Sequence, residues 1–171
     1  MKSEPNKVTT IALIAFALIF FSVGCSNIDK NKFRELRKSA RSIDKAVKDP
    51  LLPYGQFKEK FQKMTDEMTK TRALVSNEEE KVLLGSYEEL FQTYQEGNLF
   101  WEHKIESSIY GWIPRGRVYV DDQLRPLVEK YQFPTEPHLV ELTGHRFESI
   151  SAESLKVIWE KAHEQLKKVK Y

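Results

Sequence analysis

The chain has 171 residues, with 27 Lys and Arg against 25 Asp and Glu for a net charge of +2, and one cysteine. That near balance lacks the basic excess with which nucleic-acid binders hold phosphates. A single cysteine excludes internal disulfides, zinc ribbons, CxxC redox centres and CxxCH haem attachment.

Lys2 and Lys7 flank a polar start, and Ile11 to Phe21 (IALIAFALIFF) then runs eleven apolar residues without a break. A charged start before an apolar core of this length is the pattern of a secretory signal. The wider stretch from Val8 to Val23 is sixteen residues, short of the ~20 that span a bilayer; an uncleaved transmembrane anchor is the second reading. Ser22-Val23-Gly24-Cys25 follows at once. In these residues the chain resembles bacterial lipoproteins, whose signal peptides end in a lipobox, Leu-[Ala/Ser]-[Gly/Ala]-Cys. Gly24 and Cys25 match it, Val23 is tolerated, and Ser22 stands where Leu is usual.

The resemblance covers residues 1–26. It implies that residues 1–24 are a cleaved signal peptide and that Cys25 is the lipidation site, with palmitate-type acyl chains on its sulfur and new amino group. It implies a lipid-anchored protein of the bacterial cell envelope. Ser26 rather than Asp after the cysteine implies the outer membrane, facing the periplasm. Several acyl chains, each contributing about 0.8 kcal/mol per buried methylene, hold such a protein stably on a bilayer. The alternative is a plain secretory signal with an incidental buried cysteine.

Residues 25–171 form the expected mature domain, 147 residues with 25 positive against 24 negative side chains. One domain of that length buries roughly 70% of its unfolded surface. Phe33, Leu36, Ala40, Ile43 and Val47 share one stripe of a first helix, stopped at Asp49-Pro50 and Pro53. Tyr54 or Phe57, then Phe61, Met64, Met68, Thr71 and Val75 mark a second. Ser76 begins a capping box with Glu79, and Glu78 to Glu80 suit the first turn of a third helix. That helix carries Leu83, Tyr87, Leu90, Tyr94 and Trp101 and is expected over about 77–106, with Gly97 a kink or a close-packing point. At the far end of the chain, Ser151 reads as the N-cap of a last helix striped by Leu155, Ile158, Ala162, Leu166 and Val169, with Lys167, Lys168 and Lys170 at its negative end. The fold class read from these is all-α, an antiparallel four-helix-type bundle.

Residues 107–150 read as an irregular insertion between the third and last long helices. Pro114-Arg115-Gly116 is a turn signal between two β-prone runs, so a small hairpin is expected. A short helix is expected over about 122–131, with Pro126 tolerated in its first turn. The stretch PHLVELTGHRF reads as helix stopped at Gly144, with strand-turn-strand as the alternative.

Two surfaces are candidates for function. Eight basic residues and two acids lie between Lys30 and Lys48, and Arg34, Lys38, Arg41, Lys45 and Lys48 gather opposite the apolar stripe. Just behind the anchor, such a face suits anionic headgroups, at about 1 kcal/mol per residue near an anionic surface; its plain reading is a solvated helix face. The loop YGWIPRGRVYV sets Tyr110, Trp112 and Tyr119 beside Arg115 and Arg117. Aromatic faces beside Arg donors are common at partner surfaces, and an Arg pair grips carboxylate or phosphate; the plain reading is a cap on one end of the core.

No catalytic constellation, phosphate loop or cofactor motif stands out. Glu160-x-x-His163 occurs once, whereas di-iron bundles need two such motifs, and it projects toward water. His138 with Glu141 and His145 with Glu148 give two ligands each on a helix, which is not a metal site. The expectation is therefore a membrane-anchored accessory or assembly protein that is not an enzyme, acting on a protein partner and not on nucleic acid, without cofactor. The alternative is a bundle binding a small molecule or lipid in a cavity lined by the third helix.

Overall fold

The computed structural model describes residues 28–170. Cys25 and the signal sequence lie outside the described residues. The first helix, α1 (Lys30–Ala46), opens on Asp29, whose carboxylate accepts the Asn31 N–H at 3.0 Å. It buries Phe33, Leu36, Ala40 and Ile43 completely, the four leading members of the predicted stripe. Helix α2 (Tyr54–Leu74) starts directly after Pro53 and buries Phe57, Met64 and Met68. Helix α3 (Glu78–Ile109) is 32 residues long.

The cap of α3 differs from the sequence expectation by one residue. Asn77, not Ser76, is the N-cap, and its side chain accepts the Glu80 N–H at 2.8 Å. The reciprocal arm comes from Glu80, not Glu79, and takes the Ser76 N–H at 2.9 Å. Gly97 is a packing point: a Cβ there would lie 2.1 Å from the Trp159 ring.

The all-α expectation is corrected beyond α3. The chain is mostly helical but carries a three-stranded antiparallel sheet in the order β1-β3-β2, made of β1 (Arg117–Tyr119), β2 (Glu136–Val140) and β3 (His145–Ser151). PHLVELTGHRF is strand-turn-strand. Gly144 sits at φ +70°, a left-handed conformation that closes a turn, and the Gly144 and Thr143 N–H groups both return to the Val140 carbonyl. The predicted hairpin around Pro114-Arg115-Gly116 keeps its turn, but only the second arm is a strand. That strand pairs with β3, Val118 opposite Ile150 with both side chains fully buried, while the first arm is used up as far as Ile109 by the end of α3. The expected short helix is α4 (Arg125–Tyr131), with proline in its first turn.

Ser151 caps as expected, through the Glu153 N–H, though it opens a 3₁₀ turn (Ala152–Ser154) that runs into α5 (Leu155–Lys168). In space α1 packs on α2 and α3 on α5, with α2 against α3 and α1 against α5; β1 lies along α3. The sheet thereby closes over the C-terminal end of α3. No helix among the described residues is long and apolar enough to cross a membrane.

Candidate functional site

Helix α3 ends where Tyr110 turns extended and Gly111 follows. The chain then bends at Pro114, the Arg117 N–H returning to the Pro114 carbonyl at 3.1 Å. Gly116 at φ +78° makes that bend open to few other residues. The loop is held from behind by the Ala152 N–H, which donates to the Gly116 carbonyl. In front, Trp112 sets its edge against Phe147 at 4.8 Å and touches Tyr110 and Tyr119, both at 5.6 Å.

Two clefts open on either side of Tyr110. The larger, 640 Å³, is lined by Trp101, Lys104, Ile105, Ser107 and Ser108 of α3, by Tyr110 and Ile113, and by Arg115 and Arg117. It has three cationic side chains and no carboxylate in its lining. The smaller, 240 Å³, is lined by His103, Glu106 and Ser107, by Tyr110, Trp112 and Tyr119, and by Asp121 and His145. The five residues singled out in the sequence thus share one surface but divide between two clefts. Arg115 and Arg117 belong to the larger, Trp112 and Tyr119 to the smaller, and Tyr110 to both.

The two arginines are not equivalent. Arg117 is spoken for: its guanidinium donates to the Ser149 Oγ and carbonyl, both at 3.0 Å, and pairs with Glu136 at 3.0 Å. It pins β1 to β3 and β2 while lending charge to the wall. Arg115 is exposed at the turn, so it and Lys104 are the cations with freedom to meet a ligand. Lys104 escaped the sequence reading. Its only signal was spacing: Trp101, Lys104, Ile105 and Ser108 fall at i, i+3, i+4 and i+7, one face of α3.

Beneath the smaller cleft His103 is buried. Its Nδ1 lies 2.9 Å from the Leu99 carbonyl, and its Nε2 3.2 and 3.1 Å from the two oxygens of Asp121. Both partners are acceptors. Burial pushes the Asp121 carboxyl up, but the Leu124 N–H, His103 and the Gln123 N–H outweigh it and hold it below the usual carboxylate range. The pair ties α3 to the start of α4.

On α1, Arg34, Lys38, Arg41, Lys45 and Lys48 are all exposed, as expected. Arg34 and Lys38 share Glu35 at 3.4 and 3.7 Å, and Lys48 pairs with Asp44 at 3.0 Å. Lys38 also borders a 290 Å³ groove with Lys60 and Lys63 of α2, so this positive surface extends beyond one helix. His163 does not simply face water with Glu160. Its Nδ1 lies 2.7 Å from Asp44, which Lys48 also contacts, and this joins α5 to α1. Among the described residues no group of three or more His, Cys, Asp or Glu is placed to hold a metal ion. Compared with known proteins, the chain matches no family model, no curated protein and no solved structure.

Proposed function

We propose that this chain is a lipid-anchored accessory or assembly protein of the bacterial cell envelope, held through Cys25 at the periplasmic face of the outer membrane. It works by binding a protein partner rather than by catalysis. Its scaffold, in this reading, is a four-helix-type bundle of α1, α2, α3 and α5, which adjoin in a closed ring. The observation that carries the reading is the larger cleft at the end of α3: Lys104, Arg115 and Arg117 line it and no carboxylate does, although Arg117 pairs with Glu136 outside it, and the exposed Ile105 and Tyr110 add apolar surface to its wall. Such a mixture suits an acidic partner segment, since Arg recognises carboxylates by paired hydrogen bonds and aromatics supply contact area.

A photo-crosslinking residue at Ile109, which is 76% exposed, should capture one reproducible envelope protein on native membranes. Capture should be lost in Arg115→Glu. A crosslinking pattern identical in wild type and Arg115→Glu sinks the reading. Anchoring is tested separately by metabolic labelling with a fatty acid, expected in the wild type and absent in Cys25→Ala.

One observation favours a small anionic ligand as the second reading. At 640 Å³ the cleft falls within the ~300–1,000 Å³ typical of small-molecule sites. Of the aromatics of α3, Tyr87, Tyr94 and Phe100 are fully buried core, whereas Trp101 lines this cleft. A co-purifying acid in native mass spectrometry, lost in Lys104→Glu, would favour this reading over a protein partner.

A further inference from the structure

The smaller cleft has the opposite chemistry to its neighbour. Three aromatic rings wall it: Tyr110, Trp112 and Tyr119. Trp112 meets Tyr119 near-perpendicularly, at 78°, and lies at 32° to Tyr110, so the rings form a corner in the cleft wall rather than a parallel stack, and Trp112 also meets Phe147, at 83°. Tyr110 and Trp112 keep 51% and 41% of their surface exposed, far more than a ring serving only as core would.

Two further features point the same way. Glu106 lines the cleft, is exposed, and has no ion-pair partner among the described residues. The cleft also opens at the C-terminal turn of α3, a 32-residue helix with no basic residue in that turn. The end of a helix macrodipole carries roughly half a negative charge there, which favours a cation. No Lys or Arg lines this cleft; Lys104, Arg115 and Arg117 all lie in the other, across Tyr110. Of the two histidines present, His103 is matched by Asp121, and His145 stands at 88° to Trp112 and stacks on Phe147.

The geometry points to a binding site for an organic ammonium ion, above all an alkylated one, seated in the corner of Trp112 and Tyr119 with Glu106 as its counter-charge. Ring faces attract cations through their quadrupole, most strongly when the cation is weakly hydrated, as an alkylated ammonium is. The inference uses a different cleft from the proposed function, and either can fail without the other.

The test is titration of the full-length protein, in a nonionic detergent without ammonium groups, with choline and with its neutral isostere 3,3-dimethylbutan-1-ol. The readout is the Trp112 indole N–H resonance. Choline should bind at least about tenfold more tightly than the alcohol, the ratio that roughly 1.4 kcal/mol of cation–aromatic attraction confers. Glu106→Gln changes one exposed helix residue and so leaves the fold intact; it should weaken choline severalfold and leave the alcohol unchanged. Trp112→Ala removes that resonance and is followed instead by isothermal titration calorimetry; it should abolish both while the helical circular dichroism persists. Phosphatidylcholine vesicles that displace free choline identify a lipid headgroup as the source; vesicles that do not identify a free metabolite. Equal affinity for choline and the alcohol, no binding of either, or an unchanged choline affinity in Glu106→Gln each overturns the inference.

Discussion

Glu80 is 1% exposed at the start of α3, and donors from three residues converge on its carboxylate. Lys32 Nζ donates at 2.8 Å, the Ser76 N–H at 2.9 Å and the Asp29 N–H at 3.2 Å. Lys32 does most to hold the Glu80 acid at about 2, with the two backbone donors adding to it against the opposing effect of burial. A carboxyl with a lowered folded value stabilises the fold only where the unfolded chain would already be ionised. Its contribution is therefore complete above about pH 5 and fades as the pH falls from 4.5 toward 2. Glu80→Gln keeps the shape and loses the charge. Its melting temperature should lie below wild type at neutral pH, and the gap should close progressively between pH 4.5 and pH 2. A gap that stays constant down to pH 2 would show that shape, not charge, holds α1 to α3. Because the clamp also takes the Asp29 N–H, it sets where the chain leaves the body toward Cys25.

At the scale of elements, α3 and α5 meet at a point where one atom decides the outcome. The Trp159 indole lies over Gly97 and against Phe57, Tyr94 and Trp101, with centroids at 5.5, 6.3 and 6.3 Å. Ala in place of Gly97 would gain about 1 kcal/mol of helix propensity. Its Cβ would nonetheless sit 2.1 Å from two indole carbons, and forced overpacking costs typically ~1–3 kcal/mol, occasionally more. We expect Gly97→Ala to lower the urea midpoint. In combination with Trp159→Leu it should destabilise less than the two changes summed, since the smaller side chain relieves the clash. Strict additivity in that cycle would disprove the clash. The same helices show what periodicity reveals. Phe33, Leu36, Ala40 and Ile43 repeat at helical spacing because one face of α1 is buried along its length, and such a stripe survives in the sequence whatever packs on it. β2 has no such record. It is an edge strand whose burial pattern runs exposed, exposed, half-buried, exposed, half-buried, so alternation is nearly invisible, and its pairing with β3 depends on a turn at Gly144. The clefts were half legible for a related reason. Residues 110–119 are contiguous and showed their aromatic and basic character directly. Lys104 and Glu106 lie within the expected third helix and join them only because β1 folds back along it.

For the molecule as a whole, the question is how the body stands on the membrane to which we assign it. Three residues separate Cys25 from Asp29, so even at full extension the start of α1 stays within about 14 Å of Cys25. From Arg34 to Lys45 the helix advances about 17 Å, with Lys48 just past its end, whereas charge acts over about 8 Å at physiological salt. Standing upright, the body would bring only the first turns of the basic face within range of anionic headgroups; lying flat, it would bring all of it. Glu80 fixes the exit of the tether beside the N-terminus of α1, and Lys48 is already engaged by Asp44 and His163. Both facts favour a gradient down the helix. With a single acyl chain on Cys25, which anchors only marginally and reversibly and so does not mask the effect, Arg34→Glu and Lys38→Glu should each weaken binding to phosphatidylglycerol vesicles about fivefold or more. Lys48→Glu should change it little, and raising the salt should erase the difference. Equal losses at Arg34, Lys38 and Lys48 would place α1 flat on the surface, and no loss at any of them would return the face to plain solvation. In the upright arrangement the far end of α3, with both clefts, has a position set by the long helix rather than by the tether. It can then be mapped by moving a spin label from Lys38 to Ile109 and comparing the depth of each from the headgroups.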